Sequence, residues 1–329
     1  LLLFYRRKPS KFCLFYSLKT IFYDCLLMFN VNNRVMSFVV LGVSVLVVST
    51  AALLVRVAQA EQVESISIAF WRLAIASFVL ALYVGSIPKH RTALARVDRR
   101  VFGFMVLSGV FLAIHFATWI GSLAFTSIAS STALVSTNPV WLALFSWLVL
   151  KDRPDRWIWL GVAASLLGSA LIFLADSGAM TLPTAHANLG NGLALAGSVT
   201  VCGYLLIGRS LAHSVPILLY VTVVFSLAAG TLFLIAVSSG TPLLGFSATA
   251  WLCLLTLAFG PQLIGHSGIS WSLRHLAPTM VAIVILGEPI CSALLAWWWL
   301  GEQFGWLHVV GFLLILTGIF LAAKSGSDK

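Results

Sequence analysis

The chain has 329 residues, of which 60% are hydrophobic and 9% charged, and its formal net charge is +10. An ordinary soluble domain draws about a quarter of its residues from Asp, Glu, Lys and Arg, so a water-facing surface cannot be assembled from this inventory. A soluble globular protein is excluded, and in so apolar a chain the basic surplus orients membrane spans rather than gripping nucleic acid.

Residues 1–36 read as an N-terminal extension outside the fold. Leu1 to Asn33 mixes aromatic residues with Arg6, Arg7, Lys8, Lys11 and Lys19, without a clean apolar signal region or a small-residue cleavage site. The preferred reading starts translation at Met28 or Met36; a basic helix lying on the membrane surface competes with it.

From Ser37 onward the hydropathy pattern predicts an all-α, polytopic membrane protein with ten spans, at 37–56, 66–87, 101–121, 128–149, 156–175, 189–208, 215–237, 249–270, 277–299 and 304–323. Each is roughly 20 residues, as the hydrocarbon thickness requires. With the first span starting in the cytoplasm, the inner loops hold Lys89, Arg91, Arg96, Arg99, Arg100, Lys151, Arg153, Arg156, Arg209, Arg274, Lys324 and Lys329, and the outer loops hold only Arg56. Both termini are therefore expected in the cytoplasm, at the inner membrane of a bacterial-type cell. The five cysteines, Cys13, Cys25, Cys202, Cys253 and Cys291, are scattered without metal-ligand spacing, and neither a metal nor a cofactor is expected.

The spans come in two matching sets. Ser122 to Leu171 reappears 150 positions later as Ser272 to Leu321 without a gap, pairing Pro139 with Pro289, Trp147 with Trp297, Leu150 with Leu300, Asp152 with Glu302, Gly161 with Gly311 and Gly168 with Gly318. Five spans per half is an odd number, so the second copy must insert upside down. The charges follow: Lys151 becomes Gly301 and Arg153 becomes Gln303 while the acid persists. This divides the chain into a first repeat (37–176), a polar linker (177–188), a second repeat (189–323) and a cytoplasmic tail (324–329).

A mid-span proline, an apolar run, a leucine and an acid at the turn, then two glycines, occurs in both copies, as Asn138-Pro139 to Gly168 and Glu288-Pro289 to Gly318. With Phe70-Trp71-Arg72 opening the second span, it resembles the EamA-type domain of the drug/metabolite transporter superfamily. The resemblance covers nearly the whole chain after residue 36. It implies a ten-helix carrier of inverted five-helix repeats, with a cavity between the halves and small metabolites as substrates. The first copy departs from the second in carrying Asn138 where the second has Glu288.

Candidate site residues are the polar groups stranded at depth. Glu288 sits near the middle of the ninth span, where a carboxylate must face a cavity or be protonated. Pro289 removes a backbone N–H beside it, and Asn138-Pro139 is the counterpart; the two prolines would shape the cavity walls. Arg72 lies about two turns inside the second span. It would pair with Glu288, hold a substrate carboxylate, or snorkel outward to Glu61 or Glu64. His115 is central in the third span, able to share a proton with Glu288 but equally a packing residue; His266 is more ambiguous still.

Together these residues point to a secondary transporter, an exporter of small organic metabolites such as amino acids, working by alternating access, with protons as a candidate coupling ion and the bilayer as its surroundings. Two other classes fit parts of the chain. Gly265-His266-Ser267-Gly268 and His308-Val309-Val310-Gly311 look like the serine and histidine elements of rhomboid intramembrane proteases, but opposite ends of parallel spans would carry them. A non-transporting receptor or structural membrane protein would be marked by a solid core between the halves.

Overall fold

The computed structural model describes residues 33–88, 92, 97–138, 140–141, 144–145, 148, 156–177, 184–211, 214–272, 284–285 and 287–325. Among them every regular element is helical, as an apolar chain in lipid requires, because a helix satisfies its own backbone N–H and C=O groups. In chain order these are α1 (Asn33–Ser49), α2 (Ala51–Ala60), α3 (Ser65–Gly85), α4 (Arg99–Ser122), α5 (Ile128–Val135), α6 (Arg156–Ser177), α7 (Thr184–Leu211), α8 (Ile217–Ser239) and α9 (Ala248–Leu257), then a π-helical stretch (Ala258–His266), α10 (Ser267–Ser272), α11 (Gly287–Leu300) and α12 (Trp306–Ser325).

Six described helices are long and apolar enough to cross a membrane: Met36–Ala60, Ser65–Gly85, Arg99–Ser122, His186–Gly208, Ile217–Ser239 and Ala248–Ile269. Arg156–Ile172 and Trp306–Leu321 are shorter apolar helices, and α5 and α11 begin or complete the tracts expected at 128–149 and 277–299. The protein is thus an all-α polytopic membrane protein.

Helix ends follow local chemistry. Asp98 caps α4 by accepting from the N–H of Arg100, Ser127 caps α5 through that of Ser130, and Ser247 caps α9 through that of Ala250. Gly240, with φ of 72°, closes α8 in the left-handed conformation that a side chain would disfavour. Two boundaries differ from expectation. The first span continues to Ala60, so Arg56 belongs to a helix rather than an outer loop, and α7 already begins at Thr184, inside the expected linker. Apolar flanking residues such as Val55 and Val57 let the span run on past Arg56. The loop 151–153, Pro139 and Arg274 lie outside the described residues.

Two packing arrangements position the centre of the bundle. In the larger core, α3, α4 and α8 interlock through Leu73, Ala76, Leu112, Phe116, Val224 and Ala228. In the other, α6 lies against α12 at glycines. A Cβ on Gly168 would stand 2.6 Å from the carbonyl oxygen of Gly311, and one on Gly318 would stand 2.6 Å from that of Gly161. Residues ascending α6 therefore meet residues descending α12, so the helices are antiparallel. Exchanging each residue for its counterpart 150 positions away converts one contact into the other, the mark of a local two-fold axis perpendicular to the helices. Absent side chains allow that approach of the two backbones.

The π-helical stretch has its own cause. Pro261 has no N–H to donate and its ring crowds the preceding turn, and the wider winding absorbs both defects. Gly265 and Gly268 then seat this segment against Val48 and Ser44 of α1, where a Cβ would collide. The Gly-His-Ser-Gly sequence is accounted for by helix packing. Ser267 is exposed, and Nδ1 of His308 accepts from the N–H of Gly305 at the start of α12.

Candidate functional site

Arg72, on α3, is completely buried. Its Nε donates to Oε1 of Gln262 at 2.7 Å, reaching from α3 to the π-helical stretch. Its guanidinium carbon lies 4.4 Å from the ring centroid of Phe116 and 5.6 Å from that of Trp119, both on α4. The aromatic faces favour a cation by their quadrupoles but accept no ordinary hydrogen bond. Among the described residues Nη1 and Nη2 of Arg72 have no hydrogen-bond partner, and neither has the buried Nε1 of Trp119.

Other ionisable groups gather around this guanidinium. Glu288, in the first turn of α11, is close enough for its charge to act on Arg72, although the two form no direct ion pair. His115 and His266 also lie within electrostatic range of Arg72 and of each other. His115 is held by a 2.8 Å hydrogen bond between Nδ1 and the Gly197 carbonyl on α7, which requires Nδ1 to carry the proton, and its ring stacks over Trp119 with 7° between the planes. The π-helical stretch thus supplies two members of the group, Gln262 and His266.

Of the residues singled out in the sequence, the fold brings Arg72, Glu288 and His115 together. Asn138 is engaged locally: its Nδ2 donates to the Val135 carbonyl one turn back, and its own carbonyl accepts from Sγ of Cys202. Pro289 is buried directly after Glu288 on α11. Snorkelling of Arg72 is replaced by another arrangement, since Glu61 accepts from Ser247 Oγ at 2.6 Å and Glu64 from Thr241 Oγ1 at 3.0 Å. Gln262, a polar residue inside the span expected at 249–270 and next to the helix breaker Pro261, meets the criterion that marks Asn138 but was not singled out; Trp119 carries no such signal.

One end of the bundle is tied shut by polar contacts. Glu302, following α11, accepts with both carboxylate oxygens from the N–H of Ile128 and lies 3.7 Å from Nη2 of Arg56, which in turn donates to the Thr126 carbonyl at 2.6 Å. The connection between α8 and α9 is pinned at the same end, where Ser67 donates to the Pro242 carbonyl and Trp71 Nε1 to that of Leu243. A cavity of about 270 Å³ lies at the other end, lined by residues including Val97, Asp98, Ser214 and Leu219.

The model of the EamA-like transporter family matches residues 35–174 and 188–324. Among curated relatives, the uncharacterized transporter YyaM of Bacillus subtilis (strain 168) is 20% identical over 78% of this chain and 84% of its own length. The uncharacterized transporter YetK of the same organism is 24% identical over 76% of each chain, and YwfM is 25% identical over 67% of this chain and 72% of its own. A solved crystal structure superposes with a TM-score of 0.60 over 90% of this chain and 99% of that one, at 19% identity, which shows a shared fold.

Proposed function

Because the chain belongs to the EamA-like transporter family, we propose that it is a secondary carrier exporting small organic metabolites across a bacterial-type inner membrane. In this reading ten spans form two inverted five-helix repeats with both termini in the cytoplasm, and the halves rock about a site at mid-depth. The symmetric, antiparallel contact of α6 with α12 supports the inversion, since a two-fold axis perpendicular to the helices lies in the membrane plane.

The observation that carries the reading is the buried Arg72 with unspent donors, joined to Gln262 and surrounded by Glu288, His115 and His266. Arg72 comes from the first matched region, Gln262 and Glu288 from the second. Burying a guanidinium without full pairing costs several kilocalories per mole, so a purely structural helix bundle gains by replacing it with an apolar residue. A cluster drawn from both halves is also where a rocking motion alters geometry most directly. Glu302 and Arg56 would mark the external end, closed in this conformation.

The test compares metabolites in cells with and without the protein, then measures flux of those that differ in liposomes containing the purified full-length chain. The expected result is flux above that of empty liposomes, lost in Arg72→Leu protein that still purifies as a folded species. Flux equal to that of empty liposomes for every such metabolite would overturn the carrier reading.

A further inference from the structure

The central cluster presents a set of unpaired donors with a definite chemistry, and it refines the carrier reading on which it rests. Gln262 fixes the plane of the guanidinium by accepting from Nε. What remains is the end-on edge formed by Nη1 and Nη2, completely buried and without acceptors among the described residues, and the ring of Trp119, whose indole N–H is also unpartnered, has its centroid 5.6 Å from the guanidinium carbon. All of these groups donate, and the nearby ring of Phe116 offers no lone pair. Water alone serves such a face poorly, because a charged donor removed from bulk solvent gains most from an ionised acceptor.

We propose that Arg72 and Trp119 form the seat for a carboxylate group of the transported substrate. A carboxylate presents two oxygens in the plane and spacing of the two Nη groups, so it binds that edge bidentately and leaves a lone pair for Nε1 of Trp119. Phe116 and Trp119 exclude water from the pair and support the cation from its faces. Glu288 lies near enough to influence the guanidinium but makes no direct pair with it, so the edge is not already filled by the protein's own carboxylate. Chloride cannot bridge the two Nη groups as a carboxylate does; phosphate can pair with a guanidinium bidentately, but its remaining oxygens and extra charge would face the apolar ring of Phe116.

The experiment measures binding, independently of transport, as thermal stabilisation of the purified full-length protein in detergent. The probes are pairs that differ only in the acidic group: benzoate with benzamide, phenylalanine with phenylalaninamide, and succinate with succinamide, with chloride and phosphate alongside. At least one carboxylate should stabilise the protein at concentrations where its amide and both inorganic anions do not. Arg72→Lys, which keeps the charge and loses the paired donors, should weaken that binding about tenfold or more. Trp119→Phe, which keeps an aromatic ring and loses the N–H, should weaken it by about threefold to tenfold. The wild-type comparison and Trp119→Phe remain decisive if Arg72→Lys does not fold. Equal stabilisation by acid and amide, equal stabilisation by chloride or phosphate, unchanged affinity in the variants, or no binding of any carboxylate overturns the seat. None of those results touches the carrier reading, which fails only if flux is absent.

Discussion

Both carboxylate oxygens of Glu302 accept from the backbone N–H of Ile128, at 3.1 and 3.0 Å, so a side chain of the second matched region closes the N-terminus of a helix in the first. The start of a helix carries unpaired donors and the positive end of its dipole, and a carboxylate answers both. Arg56, from the same half as Ile128, adds an ion pair at 3.7 Å.

Replacing Glu302 should therefore weaken this end of the bundle in graded fashion. Glu302→Gln keeps an acceptor and is expected to cost about 1 kcal/mol, while Glu302→Ala loses cap and ion pair together and costs about 2 kcal/mol. The charge swap Arg56→Glu with Glu302→Arg should not rescue stability, because an arginine there would confront the N–H groups of α5 instead of accepting from them. Thermal unfolding in detergent reads all three variants, and full recovery in the swap would show that the ion pair alone matters.

The glycine crossing gives a second expectation. Gly168→Ala and Gly318→Ala should each destabilise by about 1–3 kcal/mol, and by similar amounts, since both drive a methyl group to within 2.6 Å of a carbonyl oxygen in the facing helix. Gly42→Ala on α1 is the control: nothing lies within 4 Å of its Cβ position, and the change should be neutral or mildly stabilising through helix propensity. A cost at only one of them would argue against the paired carbonyl contacts, whereas a modest difference reflects the side chains they face, Ile315 at Gly168 and Ser165 at Gly318.

Trp71 links α3 to the connection between α8 and α9. Its Nε1 donates to the Leu243 carbonyl at 2.7 Å and its ring meets Trp251 edge-on at 4.9 Å. Trp71→Phe retains the ring contact and removes the donor, so about 1 kcal/mol of local stability should be lost, confined to residues 240–247. Hydrogen exchange should quicken at Leu244 and Gly245 but not within α8. Uniform acceleration through α8 would mean that Trp71 supports the whole helix by packing.

The class of the molecule and its helical tracts were legible because apolar length is all a span requires; the gapless match at 150 positions paired Gly161 with Gly311 and Gly168 with Gly318, but did not show the crossing of their helices. Arg72, Glu288 and His115 were legible for a related reason: a polar group stranded at depth needs a partner, and the available partners are other stranded groups. Their relation to Gln262 and Trp119 was not. Gln262 is a polar residue within an apolar span, so the rule that marked Asn138 reaches it too, but not the way it faces, which the π-helical winding around Pro261 sets. Asn138 matches Glu288 by register, yet its amide donates to the Val135 carbonyl one turn back, whereas an ionised carboxylate has no proton to offer there.

Coupling to protons supplies the last prediction. Glu288 shares its surroundings with Arg72, His115 and His266, so each of the two histidines is a rival carrier of any transported proton. Glu288→Gln fixes the neutral shape of the side chain at that position. If Glu288 binds the coupling proton, the variant should still exchange labelled substrate across the liposome membrane, because exchange needs only a site that reorients when loaded. Net export driven by a pH gradient should disappear, because the site can no longer return in a different charge state. His115→Gln and His266→Gln should retain gradient-driven export under the same conditions. The decisive measurement compares exchange with net flux in one liposome preparation at several external pH values. A Glu288→Gln protein whose net export still follows the gradient would remove Glu288 from coupling and pass that role to whichever histidine variant loses it.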